Sequence, residues 1–150
     1  MGLNGYLGLI YEFVFCFAAT AFFAILMRAP DKTIIFSSFI AGVSYVIFRA
    51  LLIFSGNEIL SYFVGALFVA VAGETAARVF KMPSTVFVLP GIIPLVPGVG
   101  LYKSMIELVR ENYSEFLKIG SQTLFISAVI AISIATVNIL ARFVFPQGNH

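Results

Sequence analysis

Residues 86–102 read VFVLPGIIPLVPGVGLY, a stretch that gathers Pro90, Pro94 and Pro97 with Gly91, Gly98 and Gly100 and carries no charge. Proline lacks a backbone donor and clashes with the carbonyl one turn earlier, at about 3 kcal/mol in a helix interior. An unbroken helix is therefore excluded. Pro97 fits the first position of a new helical segment, which leaves the amides of Gly98, Val99, Gly100 and Leu101 unpaired at the positive end of a helix dipole. A carboxylate or other anion is the natural occupant of such a place. Glycine at 98 and 100 removes side chains that would hold a ligand off the amides, and Tyr102 brings a hydroxyl within about one turn. The alternative is a Pro-kinked packing helix with no ligand.

Four charged residues lie within otherwise apolar stretches. Glu74 and Arg78 are four apart and share a helix face, which makes them an ion pair or, with Glu74 desolvated, a proton-coupling group. Glu12 and Arg49 have stems that can snorkel to an interface; Arg49 would also suit a carboxylate, either a substrate's or that of Glu12. Asn138 adjoins Ser127, Ala131 and Ala135, small residues that recur every four positions and give a flat face for helix packing with an amide to bond across it. Ser38 with Gly42, and Ala66 with Ala70, repeat that spacing. Cys16 and His150 are the single cysteine and histidine, so one chain forms neither a disulfide nor a Cys/His metal cage. No Walker loop, zinc-protease helix or Ser/His/Asp arrangement is present. The chain reads as non-enzymatic, with no cofactor and no metal.

The elements that hold these residues follow from composition. Of the 150 residues, 61% are hydrophobic and 11% charged, whereas a soluble domain carries roughly a quarter charged residues. Too few polar residues remain to coat a soluble surface, and the scattered net charge of +2 gives no footprint for nucleic acid. The solvent is a lipid bilayer. About 20 apolar residues cross its hydrocarbon core, and charge-free intervals mark five spans, at about 7–27, 33–54, 59–80, 84–105 and 119–141. The predicted fold is an all-α integral membrane bundle of about five helices with a Pro/Gly-broken fourth, residues 1–150 forming one transmembrane domain. No Lys or Arg precedes the first span and Glu12 lies inside it, so it reads as retained rather than as a cleaved leader. Asp31 or Thr33 is the expected N-cap of the second span. Residues 103–118 read as a helical polar continuation with Glu107, Glu111 and Glu115 on one face. Arg28, Lys32, Arg78, Lys81 and Arg142 fall on one side and Lys103, Arg110 and Lys118 on the other, or four there if Arg49 inside the second span is counted, a bias that places the N-terminus outside and the C-terminus in the cytoplasm.

Residues 83–105, PSTVFVLPGIIPLVPGVGLYKSM, resemble the signature of the threonine/serine exporter family, a Pro-rich break of the form IPLVPG followed by small residues and a tyrosine. Pro94, Pro97, Gly98 and Tyr102 match best, and the length and the loop before Pro83 match more loosely. In that family some members are one chain with two membrane halves and others are split into a large and a small subunit. The resemblance implies the small subunit of a bacterial inner-membrane secondary exporter of threonine/serine or succinate, working with a larger partner subunit on an ion gradient. Pro94, Pro97, Gly98, Val99, Gly100 and Tyr102 would form the substrate site, with Glu74, Arg78, Arg49 and Asn138 as coupling candidates. A five-span half also reverses the orientation of whatever follows it, as an inverted repeat requires. A scaffold subunit that transports nothing, and a homo-oligomeric channel, are the competing readings.

Overall fold

A computed structural model describes residues 3–144; His150 and the Arg142 side chain lie outside the described residues. Six helices follow in order: α1 Leu3–Leu26, α2 Asp31–Ser55, α3 Glu58–Phe80, α4 Thr85–Ile92, α5 Gly98–Val109 and α6 Tyr113–Val144. A 3₁₀ turn, Ile93–Leu95, follows α4. The helix ends are set by local chemistry. Pro30, rather than Asp31 or Thr33, takes the N-cap of α2, which has no side-chain cap, and the Thr33 hydroxyl donates to the Pro30 carbonyl at 2.7 Å. Gly56, at φ 63°, closes α2 in the left-handed region, and the Asn57 side chain accepts from the Leu60 amide at 3.1 Å to start α3.

Helices α1, α2, α3 and α6 are each long and apolar enough to cross a bilayer, while the α4 and α5 segments meet at a bend of 53°. A bent pair of this kind either crosses or turns back. The contacts of α6 with α3 decide between the two. Gln122 Nε2 donates to Glu58 Oε2 at 3.0 Å, Ser133 Oγ to the Phe63 carbonyl at 3.4 Å, and Arg78 Nη2 to the Ala141 carbonyl at 3.3 Å. Residue numbers rise together along both helices, so α3 and α6 run parallel. Only a full crossing by α4–α5 returns the chain to the starting end of α3. With the bent pair counted as one broken span, the described residues hold five helical passes through the bundle.

Packing is inverted relative to a soluble domain. Ala41, Ala66, Ala70, Ser37, Ser38, Ser44 and Ser61 are fully buried, whereas Phe15 and Phe22 are 72% and 74% exposed. Lipid tails solvate large apolar side chains, so association rests on small residues that let backbones approach. The core joins α2, α3, α4, the 3₁₀ turn and α6 through Ile40, Phe48, Val69, Val88, Leu95, Ile126 and Ile130. Gly73 is the tightest point of the α3–α4 contact, since a Cβ there would sit 2.6 Å from Val88 Cγ2. Valine is stiff at χ1 and cannot swing clear. Gly73→Ala is expected to destabilise the protein by about 1–3 kcal/mol through overpacking, read as a lower unfolding temperature in detergent, with Val88→Ala restoring it. An unchanged midpoint in the single variant would refute this account of the contact.

The polar continuation after the fourth span differs from expectation. Helix α5 stops at Val109, Glu111 adopts φ 59°, and α6 begins at Tyr113. Glu107, Glu111 and Glu115 thus share no helix face: Glu107 accepts from Arg110 at 3.2 Å and Asn112 at 3.1 Å, and Glu115 from Lys118 at 3.4 Å. The turn is needed because α5 packs against α6 and touches no other helix among the described residues.

Candidate functional site

The break in the fourth span is built in three steps. Pro90 sits inside α4, Pro94 within the 3₁₀ turn, and Pro97 at the N-cap of α5, one position earlier than its expected place. Leu95, fully buried, pins the turn into the core. The chain then restarts as α5 with no side chain capping its amides. Two of the four expected free amides are used locally, Gly98 donating to the Val96 carbonyl at 2.7 Å and Leu101 to that of Pro97 at 3.2 Å. Val99 and Gly100 keep theirs without a backbone acceptor among the described residues.

These two residues line a cavity of about 420 Å³ with Pro94, Pro97 and Gly98. One wall is aromatic: the Phe48 ring packs 4.4 Å from Tyr62 and 5.7 Å from Tyr45. The other is the start of α6, with Gln122, Thr123 and Ile126. The cavity runs from the break to Glu58, the first residue of α3, and also meets Lys103, whose ammonium has no partner among the described residues. The arrangement can hold a small carboxylate, with amides and an ammonium to receive it and rings to flank its carbon skeleton.

The two glycines at the break differ. A Cβ at Gly98 would meet nothing within 4 Å, so this position borders open space, while one at Gly100 would run into Thr123 Oγ1. Gly100 therefore also serves close α5–α6 packing. Tyr102 is 68% exposed and does not line the cavity.

The coupling candidates lie elsewhere. Arg49 Nε donates to both carboxylate oxygens of Glu12, at 3.0 and 3.1 Å, which ties α1 to α2 outside the cavity. Arg78 binds Glu74 at 3.2 Å along one face of α3, and both border a groove of about 230 Å³ between α3 and α6 at the opposite end of the bundle. Asn138 Oδ1 is buried with no donor among the described residues. Glu58, Lys103, Gln122, Tyr45 and Tyr62 did not stand out in the sequence. Glu58 and Lys103 read as turn and loop charges, and only the parallel α3–α6 contact brings Gln122 to Glu58.

A polytopic helical membrane protein whose interrupted span opens onto a polar cavity has the general form of a membrane transporter. The chain belongs to the threonine/serine exporter family: the model described as Threonine/Serine exporter, ThrE matches residues 12–140. It is also 27% identical over 139 residues to an uncharacterized protein of Haemophilus influenzae, a match that covers 93% of this chain and 45% of that protein. The chain thus spans less than half the length of this curated relative. No solved structure matches it.

Proposed function

We propose that this chain is the small membrane subunit of a secondary exporter of small carboxylate-bearing metabolites, and that it binds the substrate carboxylate at the α5 break. One observation carries the reading: the free amides of Val99 and Gly100 and the unpartnered Lys103 border the same cavity. Pro94, Pro97 and Gly98 shape that place, and Tyr102 would join it from α5 on closure. Family membership supports transport as the activity and threonine or serine as the cargo; a dicarboxylate such as succinate is the alternative cargo that the carboxylate site would accept.

A larger partner subunit is proposed to supply the rest of the path. Its support is the relative's length, more than half of which has no counterpart here, and the faces of α5 that this chain leaves bare, with Val99, Leu101, Met105 and Val109 exposed. The cavity belongs to the end of the bundle where α3 and α6 start, and the Glu74–Arg78 groove to the end where they finish. Val69, Ile126 and Ile130 seal the layer between them. Two openings separated by a seal suit alternating access. In that scheme Glu74 is the proposed proton-coupling acid, Arg78 its counter-ion, and Arg49 and Asn138 secondary candidates. Arg28 and Lys81, beside the ends of α1 and α3, favour the bacterial cytoplasm for the groove end and the outside for the cavity end.

Lys103→Gln is the direct test. Losing one charge-assisted contact is expected to weaken apparent substrate affinity about tenfold, or ~1.4 kcal/mol, in efflux from native cells carrying the substitution, with the amount of chain in the membrane unchanged. Normal export by that variant would favour the scaffold reading, and flux that fails to saturate without any partner would favour the channel.

A further inference from the structure

We propose that Glu58 reads a substrate ammonium, so that the cavity selects an α-amino acid over a dicarboxylate; this rests on the carboxylate site proposed above. The amides of Val99 and Gly100 and the Lys103 ammonium accept a carboxylate of either cargo and do not discriminate. Glu58 is the only carboxylate among the described residues that line the cavity. Gln122 Nε2 holds its Oε2 at 3.0 Å, a bond between residues 64 positions apart that fixes the group across the α3–α6 contact. Its Oε1 has no donor among the described residues. A site with positive charge at one place and a positioned, half-satisfied carboxylate at another complements a zwitterion. The second carboxylate of a dicarboxylate would meet Glu58 as a like charge, and such repulsion is how a site rejects a competitor that shares its main anchor.

The test follows uptake of labelled L-threonine into everted membrane vesicles from native cells, with competition by unlabelled succinate. Glu58→Gln is expected to raise the KM for threonine about tenfold and to strengthen inhibition by succinate, and Glu58→Asp to recover part of the threonine KM. Gln122→Leu frees the carboxylate without removing it, so its KM should lie between those of Glu58→Gln and the unaltered protein. A purely structural role for Glu58 would lower the amount of transporter, not invert the ratio of the two affinities. The unaltered protein gives a second measurement that needs no variant: N-acetyl-L-threonine, which keeps the carboxylate and lacks the ammonium, should compete at least tenfold more weakly than L-threonine. Equal competition by the acetylated compound overturns the proposal, as does an unchanged KM and succinate inhibition in Glu58→Gln. If Lys103→Gln is impaired in the same vesicles while Glu58→Gln is not, the carboxylate site stands and the ammonium reader falls. If neither variant alters the KM, both fall.

Discussion

Gly98→Phe is expected to reduce export at least tenfold per molecule of chain while leaving the protein folded in the membrane. Gly98 lines the cavity and a Cβ there meets nothing within 4 Å, so a ring can be added at the cavity wall without a clash at its Cβ. Gly98→Ala should export nearly normally, because one methyl leaves most of about 420 Å³ free. Two positions on, the effect falls on folding instead. A Cβ at Gly100 runs into Thr123 Oγ1 and lies 3.2 Å from its Cγ2, and that hydroxyl is already committed to the Ile119 carbonyl at 2.7 Å. Gly100→Val should therefore destabilise the α5–α6 contact by about 1–3 kcal/mol and deplete the chain from the membrane, with Thr123→Ala restoring its level. Quantifying chain in the membrane beside efflux separates the two effects. Full export by Gly98→Phe at normal protein levels would show that substrate passes elsewhere.

That contrast marks how far the sequence could be read. The break was legible because proline and glycine act through the backbone, where position alone decides the outcome. The two spans that flank it and the ion pair of Glu74 with Arg78 followed from charge spacing for the same reason. Which face of a span turns inward did not follow. On α6 the buried residues are Thr123, Ile126, Ile130, Ser133 and Val137, whereas Ala131 and Ala135 of the small-residue stripe are exposed. A helix that is apolar all round gives no amphipathic signal, since lipid and protein interior are nearly equivalent solvents for it. The end of α5 was hidden too, because Glu111 takes the left-handed conformation without a glycine or proline to announce it. The cavity's polar members come from the starts of α3 and α6 and from α5, and nothing local in the sequence relates Glu58 to Gln122.

The Glu12–Arg49 pair is where the bilayer changes the energetics most. Its side chains are 30% and 36% exposed, and in water such a pair would contribute about 0–1 kcal/mol. Arg49 lies six residues before the end of α2, about 9 Å along the axis, which on a membrane-crossing helix lies between the polar end and the centre, where a charge is screened less than in water. Insertion of an unpaired arginine costs about 2.5–3.5 kcal/mol at the centre of a span and less toward its ends, and a partly buried charge that has lost its partner is worse than no pair at all. Glu12→Ala alone is thus expected to destabilise the protein by about 2–3 kcal/mol, while the double replacement Glu12→Ala with Arg49→Ala should recover most of that loss. The charge swap Glu12→Arg with Arg49→Glu should also fold, since geometry rather than polarity ties α1 to α2. Unfolding free energies of the unaltered protein, Glu12→Ala, Arg49→Ala and the double Ala replacement in lipid nanodiscs give the coupling energy. A coupling below about 0.5 kcal/mol, the additive limit for independent sites, would mean that Arg49 escapes to the interface when Glu12 is gone, and that the α1–α2 contact stands on apolar packing such as that of Phe13 against Gly42.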